Sequence, residues 1–88
     1  MIKKNVVVKN KLGLHARPAA MIVKFASKFS SEIVLIRNNV EVNAKSILGV
    51  MMLAAGPGTV ITVQADGPDE KDAMDAICSL FDKKFEEE

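Results

Sequence analysis

The sequence contains no tryptophan and no tyrosine, one histidine, one cysteine and only four phenylalanines among 88 residues. Each scarcity excludes something. Small RNA-binding platforms stack bases on exposed aromatic rings, and four Phe at expected core positions supply no such platform. One thiol forms no internal disulfide, and one thiol with one imidazole makes no structural zinc site, so no metal or other cofactor is expected. An excess of either charge is also missing, with 12 basic against 11 acidic side chains and a formal net charge of +1. No field of one sign steers the chain to nucleic acid or to an anionic membrane. The N-terminal apolar run, Val6 to Val8, is too short for a signal peptide or a membrane span. No direct membrane insertion is expected, and the cytoplasm is the expected location.

What is present is aliphatic. With 49% hydrophobic residues and so few aromatics, the core must be built from Val, Ile, Leu, Met and Ala. A chain of this size buries roughly 60–65% of its unfolded surface and supports one domain, residues 1–88. Residues 2–8 carry Val6 and Val8 on one pleat face and Val7 on the other, which predicts a strand. The period then changes. Ala19, Ile22, Ala26 and Phe29 recur at helical spacing, predicting a helix from Ala16 to about Lys28, with Pro18 in its first turn. Residues 32–37 and 40–44 read as a hairpin joined by Asn38-Asn39, because Asn tolerates positive φ. A short helix over 47–53 follows, with Ser46 as its N-cap. Residues 59–65 alternate as a strand. A last helix starts at Gly67-Pro68-Asp69-Glu70 and runs to about Phe85, burying Met74, Ile77 and Phe81 with Cys78 or Leu80, and the acidic end 86–88 is expected to fray. The order βαββαβα predicts an α+β open-faced sandwich: a four-stranded antiparallel sheet with three helices on one face and the other face wet.

His15 and Arg17 flank the start of the first helix. The first amides of a helix lack intrahelical partners and its dipole end is partly positive, so an anion is welcome there. The same dipole disfavours a protonated imidazole, leaving a ring nitrogen free to attack phosphorus. Phosphoryl transfer asks little more than positioning and charge compensation, which the amides of Ala16 and Arg17 and the Arg17 guanidinium can supply. Lone histidines are more often ordinary surface residues, and on these residues alone that reading stands beside the nucleophile.

The stretch Gly13-Leu14-His15-Ala16-Arg17-Pro18-Ala19-Ala20 resembles the active-site signature of the HPr family of phosphocarriers of the phosphoenolpyruvate-dependent phosphotransferase system. The Lys45–Met51 segment, the Asp66–Glu70 helix start and the whole chain length resemble that family too. The resemblance implies that His15 accepts a phosphoryl group on Nδ1 from phosphorylated enzyme I and passes it to an enzyme IIA, while Arg17 neutralises the phosphoryl oxygens. Ala16 stands where some members carry Thr, so no hydroxyl is available there. The chain is then a carrier without independent turnover, active in sugar transport and carbon catabolite regulation, and monomeric because it must dock with several partners in turn. The resemblance also implies that an HPr kinase/phosphorylase phosphorylates Ser46, whose place at a helix N-terminus tolerates phosphate. It favours Ile47, Leu48 and Met51 as a docking patch, ringed by Lys24, Lys28 and Lys45. Of the bulky apolar residues on this short helix, one or two are expected to be exposed. Three rivals are weighed against this: a carrier of the nitrogen-related branch, a small phosphatase and a binding module in which His15 is incidental. A phosphatase needs a water-activating base, and no Asp or Glu lies near His15 in sequence.

Overall fold

A computed structural model of the chain describes residues 1–87. The alternating segments form β1 (Ile2–Val7), β2 (Glu32–Arg37), β3 (Val40–Asn43) and β4 (Val60–Asp66); the segments of helical period form α1 (Ala16–Ala26), α2 (Ile47–Met52) and α3 (Glu70–Asp82). The strands lie in the order β1-β4-β2-β3, and every neighbouring pair is antiparallel. Alternation assigns the two faces. Val6 opposite Ile61, Leu35 opposite Val63 and Ile33 opposite Ala65 are buried on the inner face. Val7 opposite Val60 is exposed on the outer one. α3 lies against β1 and β4, and α1 packs between α3 and α2. Ala19, Ile22 and Ala26 of α1 meet Ala73, Met74, Ile77 and Phe81 of α3 in one aliphatic core. This is the expected open-faced α+β sandwich.

The Asn-Asn turn adopts the conformation its residues favour, with φ of 48° at Asn38 and 69° at Asn39. Most element ends differ from expectation by a residue or two. α1 ends at Ala26, before Lys28, because the amides of Lys28 and Phe29 bond three residues back, to Phe25 and Ala26, tightening the last turn. In α3 Leu80 is buried, while Cys78 is half-buried.

The end of the chain differs more. α3 stops at Asp82, and Lys84, Phe85 and Glu86 take left-handed φ values of 54°, 54° and 60°. Such residues cost about 1–2 kcal/mol each. Against that cost stand the burial of Phe85, whose ring lies edge-on 5.0 Å from Phe81, and the contacts of Glu87. The expected fraying is therefore corrected for Glu86, held in the terminal turn, and Glu87, which turns back onto the domain; Glu88 lies outside the described residues. Among the described residues, no helix is long and apolar enough to cross a membrane.

Candidate functional site

The loop before α1 sets the position of His15. Gly13 has φ +67°, and a Cβ there would collide with the carbonyl oxygen of Ala55. That close approach lets Leu14 donate its amide to the same carbonyl at 2.9 Å and bury its side chain. His15 is thereby placed as the N-cap residue of α1, extended at φ −74° and ψ −171°, with its carbonyl accepting the Ala19 amide at 3.0 Å. Its ring forms no cap bond. Helix geometry leaves the amides of Ala16 and Arg17 without intrahelical acceptors, while Pro18, buried in the first turn, has none to leave. Arg17 is exposed and in no ion pair among the described residues.

A carboxylate closes the other side. Glu87 lies with Oε2 3.0 Å and Oε1 3.2 Å from His15 Nε2, the side chains being 14% and 34% exposed respectively. Asn10 is fully buried and donates Nδ2–H to Glu87 Oε1 at 2.9 Å and to the Gly13 carbonyl at 2.7 Å. Its side-chain oxygen, Oδ1, has no hydrogen-bond partner among the described residues. Burial raises the Glu87 pKa, but hydrogen bonds from His15 and Asn10 and the positive charge of Arg17 outweigh it, and the carboxyl lies below its ordinary value. No Asp or Glu lies near His15 in sequence; the fold brings Glu87 to it. His15 Nδ1 makes no hydrogen bond among the described residues.

Ser46 is the N-cap of α2, its Oγ accepting the Gly49 amide at 3.1 Å. Only Val50 of this helix is buried. Ile47, Leu48, Met51 and Met52 are all exposed, Leu48 by 77%, which exceeds the one or two expected. A six-residue helix lying beside the sheet has room for one inward position. Met51 joins His15, Leu12 and Ala54 around a shallow depression of about 260 Å³. The lysines do not converge on it. Lys24 lines the groove between α1 and α3 with Met21, Phe25 and Lys83, about 14 Å along the helix from His15. Lys28 lies over the Phe25 ring, 4.6 Å from its centre, and Lys45 donates to the Phe29 carbonyl at 2.8 Å. Among the described residues no cluster suited to a metal ion is found.

Three residues of this neighbourhood escape sequence reasoning. Glu87 reads as one acid of a polar tail, Asn10 as a loop residue and Leu12, 73% exposed, as an ordinary loop apolar group. Only the departure of Asn10 from an otherwise charged loop, Lys9-Asn10-Lys11, offers a signal, and it is weak.

A family model described as the PTS HPr component phosphorylation site matches residues 2–83. The chain is 54% identical to the phosphocarrier protein HPr of Treponema pallidum over 88 residues, covering all of both chains. It superimposes on the crystal structure of an HPr from Thermoanaerobacter tengcongensis with a TM-score of 0.96 and 49% identity, covering 100% of this chain and 99% of that one. A crystal structure of an HPr dimer from the same organism matches with a TM-score of 0.78 and 48% identity, over 97% and 98% of the two chains.

Proposed function

The chain belongs to the HPr family of phosphocarriers of the phosphotransferase system, and from that premise we propose that His15 is the group that carries the phosphate. The observation that supports this most is the setting of His15: a part-exposed imidazole at the N-cap of α1, one ring nitrogen engaged by Glu87 and the other unbonded among the described residues. Nδ1 attacks phosphorus, the bond from phosphorus to the enzyme I donor breaks, and the donor keeps the electron pair. The Ala16 and Arg17 amides and the Arg17 guanidinium take up the charge of the phosphoryl oxygens. Attack by an enzyme IIA nucleophile then reverses these events at Nδ1. Docking uses the exposed side chains of α2, Ile47, Leu48 and Met51, of which Met51 lines the same depression as His15. Lys24, Lys28 and Lys45 do not line that depression and are proposed as outer contacts of a docked partner.

Ser46 is the proposed regulatory site. Its hydroxyl caps α2, and a phosphate there would gain from the helix N-terminus while placing close to two negative charges beside the docking side chains. This segment supports the sugar branch over the nitrogen-related one. Alternate docking to donor and acceptor supports a monomer, and the lone thiol supports a cytoplasmic carrier.

Glu87 puts a carboxylate beside His15, which the phosphatase reading requires. It bonds Nε2 and the Asn10 amide, however, across the ring from the attacking nitrogen. Water activation at phosphorus needs a free carboxylate on the Nδ1 side, so the carrier reading is favoured.

The test is incubation with enzyme I and labelled phosphoenolpyruvate, followed by mass mapping. The label is expected on His15, and none in His15→Ala, whose circular dichroism stays that of the parent. Incorporation into His15→Ala, or steady release of inorganic phosphate by the chain alone, would overturn the assignment. Parallel reactions with both kinds of enzyme I separate the branches, and mapping after treatment with an HPr kinase and ATP reads Ser46.

A further inference from the structure

We propose that Glu87, anchored by Asn10, is a positioning residue that assigns the two ring nitrogens of His15 different roles, holding hydrogen on Nε2 and leaving Nδ1 as the nucleophile. The inference rests on the carrier reading above and concerns how the same ring is prepared for transfer.

An ionised carboxylate can only accept hydrogen bonds, so a ring nitrogen 3.0 Å from Glu87 Oε2 and 3.2 Å from Oε1 must be the donor. A neutral imidazole has one N–H. When it lies on Nε2, the lone pair is on Nδ1. A carboxylate that orients an imidazole and selects its tautomer is a recurring device at nucleophilic and metal-binding histidines.

The geometry makes the orientation more than a chance approach of a tail. Oε1 is also bonded to Asn10 Nδ2, and that fully buried amide is tied to the Gly13 carbonyl two residues before His15. One amide thus joins the carboxylate to the loop that positions the His15 backbone. Phe85, packed on Phe81, holds the segment that carries Glu87.

The arrangement suits a relay. On acceptance the Nδ1–phosphorus bond forms and the donor–phosphorus bond breaks, while Nε2 keeps its hydrogen. The ring then carries positive charge, which the Glu87 carboxylate faces directly. On donation the Nδ1–phosphorus bond breaks, the electron pair returns to Nδ1, and the ring is again neutral with hydrogen on Nε2. No proton moves between the nitrogens in either direction.

Two measurements on the full chain test this. Two-bond ¹H–¹⁵N spectra of histidine-labelled protein at about pH 9, above the ordinary imidazole range, read the tautomer. Rapid-quench phosphorylation by phospho-enzyme I reads the single-turnover rate. The parent is expected to show hydrogen on Nε2 alone. Glu87→Ala is expected to show a mixture of tautomers and a rate about 10-fold lower. Glu87→Gln, whose side-chain carbonyl can accept the same N–H, is expected to keep the parental tautomer and recover part of the rate. Parental tautomer and parental rate in Glu87→Ala would overturn the proposal. Failure of the parent to label at His15 would overturn the carrier reading instead, with the spectra unaffected.

Discussion

His15 sits between two influences of opposite sign, the unpartnered amides at the start of α1 on one side and the Glu87 carboxylate on the other. Arg17 belongs to the first. It is exposed, two residues along, and its positive charge already acts on Glu87. A guanidinium that has no ion-pair partner among the described residues, and gains one when the phosphoryl group arrives, stabilises the transition state more than the free protein. Arg17→Ala is expected to slow transfer from phospho-enzyme I by roughly 10- to 100-fold while changing unfolding free energy by less than about 0.5 kcal/mol. Stopped transfer assays beside a urea titration measure both, and an unchanged rate would remove Arg17 from the site. This pair is legible in the sequence because a residue and its neighbour two along share one helix start. Glu87 is not, because 72 residues separate it from His15 and only the folded domain closes that gap.

α2 shows what holds a short element in place. Six residues with one buried side chain do not form a stable helix alone. Ser46 caps one end, accepting the Gly49 amide, while Arg37 of β2 donates to the Leu53 and Ala54 carbonyls just past the other, each at 2.8 Å. The cap is legible from Ser46 preceding an apolar run. The Arg37 clamp is not, since it crosses from a different element. The cap and the clamp free the apolar face of α2 from any need to be buried for the helix to persist, so Ile47, Leu48 and Met51 can face outward. Ser46→Ala is expected to cost about 1 kcal/mol, read as a lower urea midpoint with an unchanged slope. An unchanged midpoint would show that Arg37 and packing hold the helix without the cap.

Across the whole molecule, Asp69 links elements that local reasoning keeps apart. It stands at the start of α3, where an aspartate ordinarily caps its own helix, yet it makes no such bond. Its carboxylate instead accepts the Ser31 hydroxyl and the amides of Ser30 and Ser31, 39 and 38 residues away, joining the exit of α1 to the entry of α3. The Ser31 hydroxyl first, and the Ser30 amide next, hold its pKa below the ordinary value. A carboxyl depressed on folding contributes stability above its unfolded value of about 4, and that contribution is lost as pH falls through the lower folded value. The difference in Tm between the parent and Asp69→Asn is therefore expected to be full at about pH 7 and to shrink below about pH 4. A difference that stays constant to about pH 2.5 would contradict the linkage.

The elements, their order, the Asn-Asn turn, the Ser46 cap and the placing of His15 at a helix start are all legible in the order of the residues. These follow from period, turn chemistry and capping, which act between residues only a few positions apart. Tertiary structure alone decided that α3 ends in a left-handed turn anchored by Phe85, that Arg37 and Asp69 reach across elements, and that Glu87 returns to His15. Each depends on closure of the sheet and helices bringing distant residues within hydrogen-bond range, and no local pattern records that approach.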